Sequence, residues 1–384
     1  MSIKTEQWQW SADKGWDGRL SSETITLGES AQVVFLFGST RDIKAGRCFD
    51  VVRTAYPHAH LFGCTTAGEI HGTHVTDRTV VITAATFENT YVACTHVQIP
   101  DIDRSFETGE QLVKSLDAHN LRHIFVLSEG LQVNGSKMVQ GINSALPDNV
   151  TVSGGFAGDG NRLQETAIWY DGVPEQSSVA ALAFYGDRLQ VGMASSAGWD
   201  PFGPDRLITK SKDNVLYECD GLSALNLYKQ YLGEYAQSLP ASGLLFPLAL
   251  RIGESENRVM RALLAVNEED QSITFAGNVP EGSYVRLMRG HIENLIDGAQ
   301  VAASSSIEKL GSSAPQFSIL VSCNGRRPVL KQRIEEEVEA VNAVLGDQAT
   351  LTGFYSYGEI APIVVGGQSE LHNQTMTITS FAEI

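Results

Sequence analysis

The feature of this sequence that most constrains its fold is an internal repeat, because one plan of elements occurs three times. Each copy contains an apolar strand, a helix, a second strand and a glycine-rich turn that ends in glycine followed by an acidic residue. The copies run from Val33 to Glu69, from Ile124 to Asp159 and from Ile319 to Glu359. Strands that alternate with helices are typical of α/β units with short crossover connections. The repeat therefore predicts an α/β fold built from strand–helix–strand units.

The register of the copies supports a duplication. Gly38 and Gly63 are 25 residues apart, and Ser128 and Ser153 have the same separation. A strand-like stretch follows each turn, and two of these stretches continue as hairpins; the five segments are 79–86, 90–99, 178–185, 188–194 and 375–380. Hairpins beside parallel units predict mixed sheets rather than purely parallel ones.

The chain has 384 residues, which is more than one hydrophobic core usually contains, so two domains are expected. A patch of proline and glycine at Asp200–Pro204 is followed by a predicted helix near Leu222–Ala236. These signals place a junction at about residues 200–245.

Charge and cysteine usage exclude several classes of protein. The chain carries 28 Lys and Arg against 45 Asp and Glu, a formal net charge of −17. This charge repels nucleic-acid backbones and anionic membrane surfaces, so neither is an expected partner. No apolar stretch is long enough to cross a bilayer, and the polar N-terminus lacks the plan of a signal peptide. The five cysteines are widely spaced without a CxxC pair, so we expect a cytoplasmic protein without a disulfide framework.

The glycine-rich turns are the most specific motifs. Gly63–Gly68 and Gly353–Gly358 have the spacing of a phosphate-binding loop, but Glu69 and Glu359 stand where such a loop needs lysine. A carboxylate repels a polyphosphate, so nucleotide hydrolysis is excluded and a cation or an amine is favoured. Asp159 ends the turn of the second copy. We expect at least one of the three acids to line a ligand pocket; the alternative is that each acid only caps its turn.

The loop before the third helix suggests a site for an anion. Asn324 suits the cap of a helix, and Pro328 suits its first turn. Arg326 and Arg327 add positive charge to the positive end of the helix dipole. Together with Glu359, these residues predict a site for a ligand that carries both a carboxylate and an amine. The alternative is that both arginines form ion pairs with surface acids.

Histidines and one cysteine form a second cluster in the sequence. Cys64 lies among four histidines within 17 residues, namely His58, His60, His71 and His74. These side chains either hold a metal or a haem, or they pack and face solvent. Cys64 lies on a turn and is a candidate nucleophile, but no neighbour in the sequence marks it as activated.

Four segments carry a resemblance to a known family. Leu61–Ile70 resembles the N-terminal FIST domain, and Ser322–Arg327, Gly353–Pro362 and Leu371–Met376 resemble the C-terminal FIST domain. The resemblance covers the chain from about residue 30 to the end. It implies an extension at 1–29, a FIST N-terminal domain at 30–222 and a FIST C-terminal domain at 223–384. The family is a sensory one, proposed to bind small ligands such as amino acids.

The resemblance also implies more specific functions. Some FIST proteins of this length are haem proteins that sense nitric oxide and control a histidine kinase, and thereby cyclic-di-GMP. His291 is then the first choice for the haem iron, and its rivals are Tyr355, Tyr357 and the pair His58 and His60. His372 lies within a family motif and, like Tyr357, is a candidate ligand-binding residue.

Three hypotheses therefore remain open. The first is a haem-based nitric oxide sensor that acts on a histidine kinase or a cyclic-di-GMP enzyme. The second is a sensor of amino acids or other small molecules without haem, in which Glu69 or Glu359 binds the amine and the arginines bind the carboxylate. The third is an enzyme that uses Cys64 or a carboxylate.

Overall fold

The computed structural model describes residues 2–17, 24–46, 48–251, 257–311, 313–364 and 366–384. In this part of the chain the α-helices are α1 (Thr40–Lys44), α2 (Phe49–Ala55), α3 (Ser105–Lys114), α4 (Gly135–Ala145), α5 (Ala224–Leu232), α6 (Ile292–Glu308), α7 (Arg327–Leu330) and α8 (Ile334–Leu345). Short 3-10 helices are Gly28–Ser30, Ile102–Arg104, Gly233–Ser238, Ala241–Leu245, Asn324–Arg326 and Lys331–Arg333. Among these helices, none combines the length and the apolar character that crossing a bilayer requires.

The strands of the described residues are β1 (Ile3–Ser11), β2 (Gly15–Trp16), β3 (Val33–Gly38), β4 (His60–Thr65), β5 (Glu69–His71), β6 (His74–Thr76), β7 (Thr79–Phe87), β8 (Tyr91–Gln98), β9 (Leu121–Ser128), β10 (Thr151–Phe156), β11 (Ile168–Tyr170), β12 (Ser178–Tyr185), β13 (Leu189–Ser196), β14 (Trp199–Pro201), β15 (Arg206–Lys212), β16 (Val215–Cys219), β17 (Leu222–Ser223), β18 (Leu248–Arg251), β19 (Arg258–Arg261), β20 (Leu263–Asn267), β21 (Ser272–Phe275), β22 (Tyr284–Gly290), β23 (Phe317–Cys323), β24 (Thr350–Ser356), β25 (Gly358–Pro362), β26 (Ser369–His372) and β27 (Met376–Glu383).

Three six-stranded sheets share one plan, and they confirm both the repeat and the mixed α/β fold. Each sheet has a parallel pair at its centre, and these pairs are β3 with β4, β9 with β10 and β23 with β24. An antiparallel third strand, β7, β12 or β27, flanks each pair. We name the copies unit 1 (residues 33–98), unit 2 (residues 121–196) and unit 3 (residues 317–383 together with β1).

The units are interlaced, because each one gives strands to both of the others. The fourth strand of a unit pairs with the next unit's third strand, as in β8 with β12, β13 with β27 and β1 with β7. The strand after each glycine-rich turn pairs with the preceding unit, as in β5 with β24, β11 with β4 and β25 with β10. The connections therefore form a closed ring with approximate three-fold symmetry.

The N-terminal segment completes this ring. The β1 strand pairs with β7 along nine residues, and Ser2 Oγ donates a hydrogen bond of 2.8 Å to the carbonyl oxygen of Glu383. Residues 3–11 thus act as the fourth strand of unit 3. Residues 3–11 of the expected extension at 1–29 are therefore part of the ring of sheets, because a nine-residue backbone edge on β7 needs a partner.

The central core explains why the repeat strands are continuous apolar runs. Phe35, Phe125 and Phe317, one from each unit, are fully buried in one cluster. The ring centre of Phe35 lies 6.3 Å from that of Phe125 and 5.5 Å from that of Phe317. Helices cover the opposite faces of the sheets, so these strands are buried on both sides and carry few polar residues.

A second body is inserted between units 2 and 3. Strands β14 to β22, within residues 199–251 and 257–290, form a nine-stranded sheet with a core of its own that includes Leu225, Leu250 and Phe275. The expected boundary between residues 222 and 223 falls within β17, which pairs with β16. The β16 strand, before the boundary, also pairs with β21, which lies after it. The structure thus divides into the ring and the insert, and the chain of the ring runs through both expected domains.

Close approach of the parallel strands depends on one glycine in each unit. A Cβ atom on Gly63, Gly154 or Gly353 would lie 1.9 Å from the carbonyl oxygen of Leu36, Val126 or Leu320, respectively. These three glycines occupy equivalent positions. The equal spacing of 25 residues matched Gly63 with Ser153, and this match is wrong by one residue because Gly154 is the true counterpart. The connection from strand to strand is one residue longer in unit 2 than in unit 1.

Two buried glutamates, Glu69 and Glu359, lie on the strands that follow the glycine-rich turns of units 1 and 3 and accept hydrogen bonds there. Glu69 accepts hydrogen bonds from Thr66 Oγ1 (2.5 Å) and Thr79 Oγ1 (2.7 Å). Glu359 accepts equivalent bonds from Ser356 Oγ (2.5 Å) and Thr375 Oγ1 (2.8 Å). Burial raises the pKa of Glu69 to about 7 and that of Glu359 to about 8, although these hydrogen bonds oppose the shift.

The Gly353→Ala variant tests the close approach of the strands. We expect a loss of about 3 kcal/mol in the free energy of unfolding, because a methyl group overlaps the backbone of Leu320. Gly172→Ala is the control, since a Cβ there meets only the carbonyl oxygen of Tyr170 at 3.6 Å. Urea unfolding followed by circular dichroism measures both; equal midpoints in the two variants would contradict this packing.

The Glu359→Gln variant tests the buried carboxyl group. The folded protein holds this group protonated up to about pH 8, whereas the unfolded chain releases the proton near pH 4.5. The wild-type protein therefore loses stability as the pH rises between these values. We expect Glu359→Gln to exceed the wild type by a few kcal/mol at pH 8 and by little at pH 4.5, since one pKa unit corresponds to about 1.4 kcal/mol.

Urea midpoints at pH 4.5, 6.5 and 8 measure this difference. Glu339→Gln, at an exposed position of α8, is the control and should show no such trend. A Glu359→Gln variant that is less stable than the wild type at pH 8 would show that the carboxylate is ionised in the fold.

Candidate functional site

The three glycine-rich turns meet and bond to one another through their backbones. Gly158 N donates to Thr65 O (2.9 Å), Ala67 N donates to Tyr355 O (2.8 Å), and a third bond of 3.1 Å runs from Tyr357 N to Phe156 O. Within this set of three bonds, each turn is the donor once and the acceptor once. The sequence predicted turns that surround a ligand, whereas these bonds hold the backbones of the turns in direct contact.

Arg327 seals the contact between units 1 and 3. Its Nη1 and Nη2 atoms donate to the carboxylate of Asp77 at 2.9 and 2.8 Å. Nη1 also donates to Ala67 O, and the guanidinium lies over the ring of Tyr355, 5.2 Å from its centre. Burial alone would lower the pKa of Arg327, but Asp77 outweighs it and raises the pKa. The positive charge is therefore neutralised within the protein.

Arg326 is buried and bound on all sides by the protein. It forms an ion pair with Glu337 at 2.8 Å and donates to the carbonyl oxygens of Ala197 and Leu295, each at 2.8 Å. Tyr355 also donates its hydroxyl proton to Glu337, at 2.6 Å. Arg326 and Tyr355 thus belong to a structural network, and neither presents a free group to a ligand.

Asp159 is not the structural counterpart of Glu69 and Glu359. Thr65 N donates to Ala167 O of unit 2, and in the matching contact Tyr355 N donates to Gly68 O of unit 1. Ala167 is therefore equivalent to Gly68, and the loop 159–166 is an insertion that precedes this position in unit 2. The carboxylate of Asp159 accepts bonds of 2.9 Å from three backbone N–H groups, of residues Leu163, Gln164 and Glu165. Three acids in one register were expected, and the structure shows two.

Tyr357 belongs to the same loop contact. Its hydroxyl donates to the Asp159 carboxylate and lies 3.0 Å from Gly160 O. Burial raises the pKa of Asp159, but the bonds from Tyr357 and the backbone outweigh it and lower the pKa below the usual range. Asp159 is therefore an ionised loop cap, and Tyr357 is the donor that holds it.

The histidines predicted as ligands do not converge. His372 is buried, with Nε2 3.0 Å from Ala361 O, and burial lowers its pKa to about 4. His60 binds Asp171, and the exposed His74 lies 3.4 Å from Glu335. His58 is exposed on the loop before β4, and His71 lies at the end of β5. In the part of the chain that the structure describes, no group of three His, Cys, Asp or Glu side chains could hold a metal.

Cys64 lies inside the central core. Its side chain is fully buried among the phenylalanines, and burial raises the pKa of the thiol well above its usual range. A thiol in this environment stays protonated and has no access to a substrate. The position of Cys64 therefore fits packing and gives no support to a nucleophile.

His291 does not fit a haem site. It is exposed at the start of α6, and its Nε2 lies 3.2 Å from the guanidinium of Arg289. A haem ligand needs an apolar enclosure around the iron, and a neighbouring cation competes for the imidazole lone pair. The residues around His291 thus do not match the expected cofactor.

Asn373 is the polar residue that sequence analysis did not single out. It is fully buried, and neither Nδ2 nor Oδ1 has a hydrogen-bond partner in the described part of the chain. The neighbouring Gln374 is also fully buried and leaves Oε1 without a partner there. An unpaired buried polar group costs roughly 1–3 kcal/mol and is rare unless it serves a function. The signal in the sequence was an Asn-Gln pair between apolar strands.

This segment lies where the ring meets the insert. From the insert, Arg261 Nη1 donates to Leu371 O at 2.9 Å and Trp199 Nε1 donates to Gln374 O at 2.8 Å. In return, Gln374 Nε2 donates to Leu244 O at 3.1 Å. We define the Asn373 site as Asn373 with its neighbours Gly358, Leu371, Gln374 and Phe156. The Asn373 site therefore lies at the contact between the two bodies.

Two cavities lie elsewhere. One of about 470 Å³ lies between β8 and the loop at 115–120 and is lined by residues that include Tyr91, Cys94 and Tyr185. Another, of about 40 Å³, lies within the insert beside Tyr228. Neither is lined by a residue that the sequence predicted to bind a ligand.

Comparison with known proteins identifies the family. Residues 32–222 match the FIST N domain, and residues 224–362 match the FIST C domain. An uncharacterized protein of Methanocaldococcus jannaschii, MJ1623, is 22% identical over 339 residues, which cover 82% of this chain. The matched region spans 64% of that relative's length.

Two solved structures have a weak likeness to the fold. A chorismatase is 11% identical with a TM-score of 0.39, over 100% of this chain and 99% of the other. A cyanuric acid hydrolase from A. caulinodans is 8% identical with a TM-score of 0.37, over 99% of each chain. At these scores neither structure informs the function of this chain.

The two matched regions cover most of the ring and the insert. The chain belongs to the FIST family, whose domains are associated with small-ligand sensing in signal transduction.

Proposed function

We propose that this chain is a cytoplasmic sensor of a small polar molecule, such as an amino acid, and that the ligand binds at Asn373. The observation that supports this most strongly is the fully buried amide of Asn373, which has no hydrogen-bond partner in the described residues. A ligand that pairs with both amide atoms removes their desolvation cost, so binding gains energy from a group that destabilises the free protein.

The proposed binding residues differ from those that the sequence suggested. Glu69, Glu359 and Arg326 were expected to bind the amine and the carboxylate, but their bonds are made within the protein. Arg327 is likewise paired with Asp77. The proposed site therefore uses neutral amide groups rather than this set of charges.

The position of the site suggests how binding produces a signal. The Asn373 segment is held by Arg261 and Trp199 of the insert, so a ligand there changes the contact between insert and ring. A change of this contact is the proposed output. As the family resemblance implies, the proposed receiver is a histidine kinase or an enzyme of cyclic-di-GMP metabolism.

Haem-based nitric oxide sensing is the alternative that the resemblance implies. It has no support from the surroundings of His291, which is exposed beside Arg289. The absorption spectrum of the protein supplied with haem, recorded with and without nitric oxide, tests it. A Soret band that shifts under nitric oxide supports a haem sensor, and a band that changes in His291→Ala identifies the ligand.

The Asn373→Leu variant tests the proposed site. We expect the affinity for whichever amino acid binds the wild type to fall about 10- to 100-fold, because a lost hydrogen bond in a buried site is worth roughly 1–3 kcal/mol. The melting temperature should stay equal or rise, since leucine removes an unpaired polar group. Calorimetry against the twenty amino acids measures binding, and circular dichroism measures melting.

Asn226→Leu is the matched control, because Asn226 is exposed on α5. This variant should bind as the wild type does. Wild-type binding that survives in Asn373→Leu would place the site elsewhere, and a wild type that binds none of the amino acids would remove the proposed ligand class.

A further inference from the structure

The internal symmetry shows what kind of group the Asn373 site holds, because Asn373 has a counterpart in unit 1. Thr76 lies opposite Glu69 in the ladder of β5 and β6, as His372 lies opposite Glu359 in that of β25 and β26. The next residues, Asp77 and Asn373, are therefore equivalent. The next residues, Arg78 and Gln374, have nearly the same φ angles, 60° and 62°, which supports this equivalence.

In unit 1 the residue at this position, Asp77, binds a planar group that has two donor atoms. Asp77 binds the guanidinium of Arg327 through two parallel bonds of 2.9 and 2.8 Å. The guanidinium lies against Gly68, where an added Cβ would be 2.5 Å from Nη1 and 3.3 Å from Cδ2 of Tyr355. Backbone, carboxylate and aromatic ring thus form a slot for a flat donor group.

In unit 3 the heavy atoms nearest to the same position belong to Leu371, Phe156 and Asn373, and none of them is a guanidinium. An added Cβ on Gly358 would be 3.2 Å from Cδ2 of Phe156 and 3.5 Å from Nδ2 of Asn373, so these residues take the places of Gly68, Tyr355 and Asp77. Arg327 lies four residues after Cys323, whose N–H bonds to Thr375 O just before the third strand of unit 3. In unit 2 the matching N–H belongs to Glu129, so Val133 is the residue equivalent to Arg327. Valine has no group that can pair with Asn373.

We infer that the ligand of the Asn373 site carries a primary amide, as L-glutamine and L-asparagine do. An aspartate offers two acceptors and so pairs with the two donors of a guanidinium. An asparagine offers one donor and one acceptor side by side, and a second amide is the complementary flat group. This inference rests on the proposed function and narrows its ligand class.

Leu371 controls entry to the slot. Its Cδ1 atom lies 3.0 Å from the Cβ position of Gly358, where unit 1 has the guanidinium of Arg327. The residue at the equivalent position of unit 1 is the smaller Val75, opposite Ile70 as Leu371 is opposite Ile360. The ligand amide therefore takes the place of this methyl group when Leu371 changes rotamer, and Leu371→Val should ease its entry.

Calorimetry with L-glutamine, L-asparagine, L-glutamate and L-arginine tests the inference on the wild type and on two variants. We expect the wild type to bind at least one of the two amides tenfold or more tightly than L-glutamate or L-arginine. Asn373→Asp should reverse the preference toward L-arginine by at least tenfold, because it recreates the pair of Asp77 and Arg327. Leu371→Val should bind the amide more tightly, and it keeps the test decisive if Asn373→Asp does not fold.

The outcomes separate this inference from the proposed function. A wild type that prefers L-glutamate, L-arginine or another amino acid, with binding lost in Asn373→Leu, overturns the amide class and leaves the sensor site in place. An unchanged preference in Asn373→Asp, or weaker amide binding in Leu371→Val, also overturns the inference. Failure of every amino acid to bind the wild type overturns both proposals.

Discussion

The three backbone hydrogen bonds between the glycine-rich turns are the interactions on which the rest of the structure depends. In these three bonds each turn donates to one neighbour and accepts from the other, so the three units close into a ring. The turns approach this closely only because Gly68 and Gly158 leave room for Arg327 and Ala67, respectively. Every unit also gives strands to both neighbours, so no unit has a complete sheet of its own. Stability and the location of the site both follow from this closure.

Near the turns the charged side chains have structural roles, whereas the buried amide of Asn373 has no hydrogen-bond partner among the described residues. Glu69 and Glu359 accept hydrogen bonds from Thr79 and Thr375, and the charge of Arg326 is neutralised by Glu337. Unit 1 fills the slot at Asp77 with a guanidinium from unit 3. Unit 3 has the same slot with Asn373 and no such side chain from unit 2. The repeated units thus differ at one equivalent position, because its polar side chain is paired within the protein in unit 1 and has no partner among the described residues in unit 3.

Much of the fold could be predicted from the sequence, and the limits have physical causes. The three strand–helix–strand copies are visible because burial on both faces makes each strand a short apolar run. The register failed at Ser153, since equal spacing counts residues whereas close packing selects Gly154. Asp159 was assigned to the wrong position because a loop insertion leaves the Gly-acid pattern intact while it displaces the acid. The division into ring and insert was missed because strands distant in the sequence share sheets.

The sequence by itself determined the local elements, the repeat and the family, since each of these is written in the spacing of nearby residues. Only the tertiary structure decided which side chains have partners. Arg327 and Asp77 are 250 positions apart, and Tyr357 and Asp159 are 198 apart. Pairing over such separations depends on which strands share a sheet, which no local pattern records. For the same reason Asn373 is an ordinary polar residue in the sequence and an unpaired buried amide in the fold.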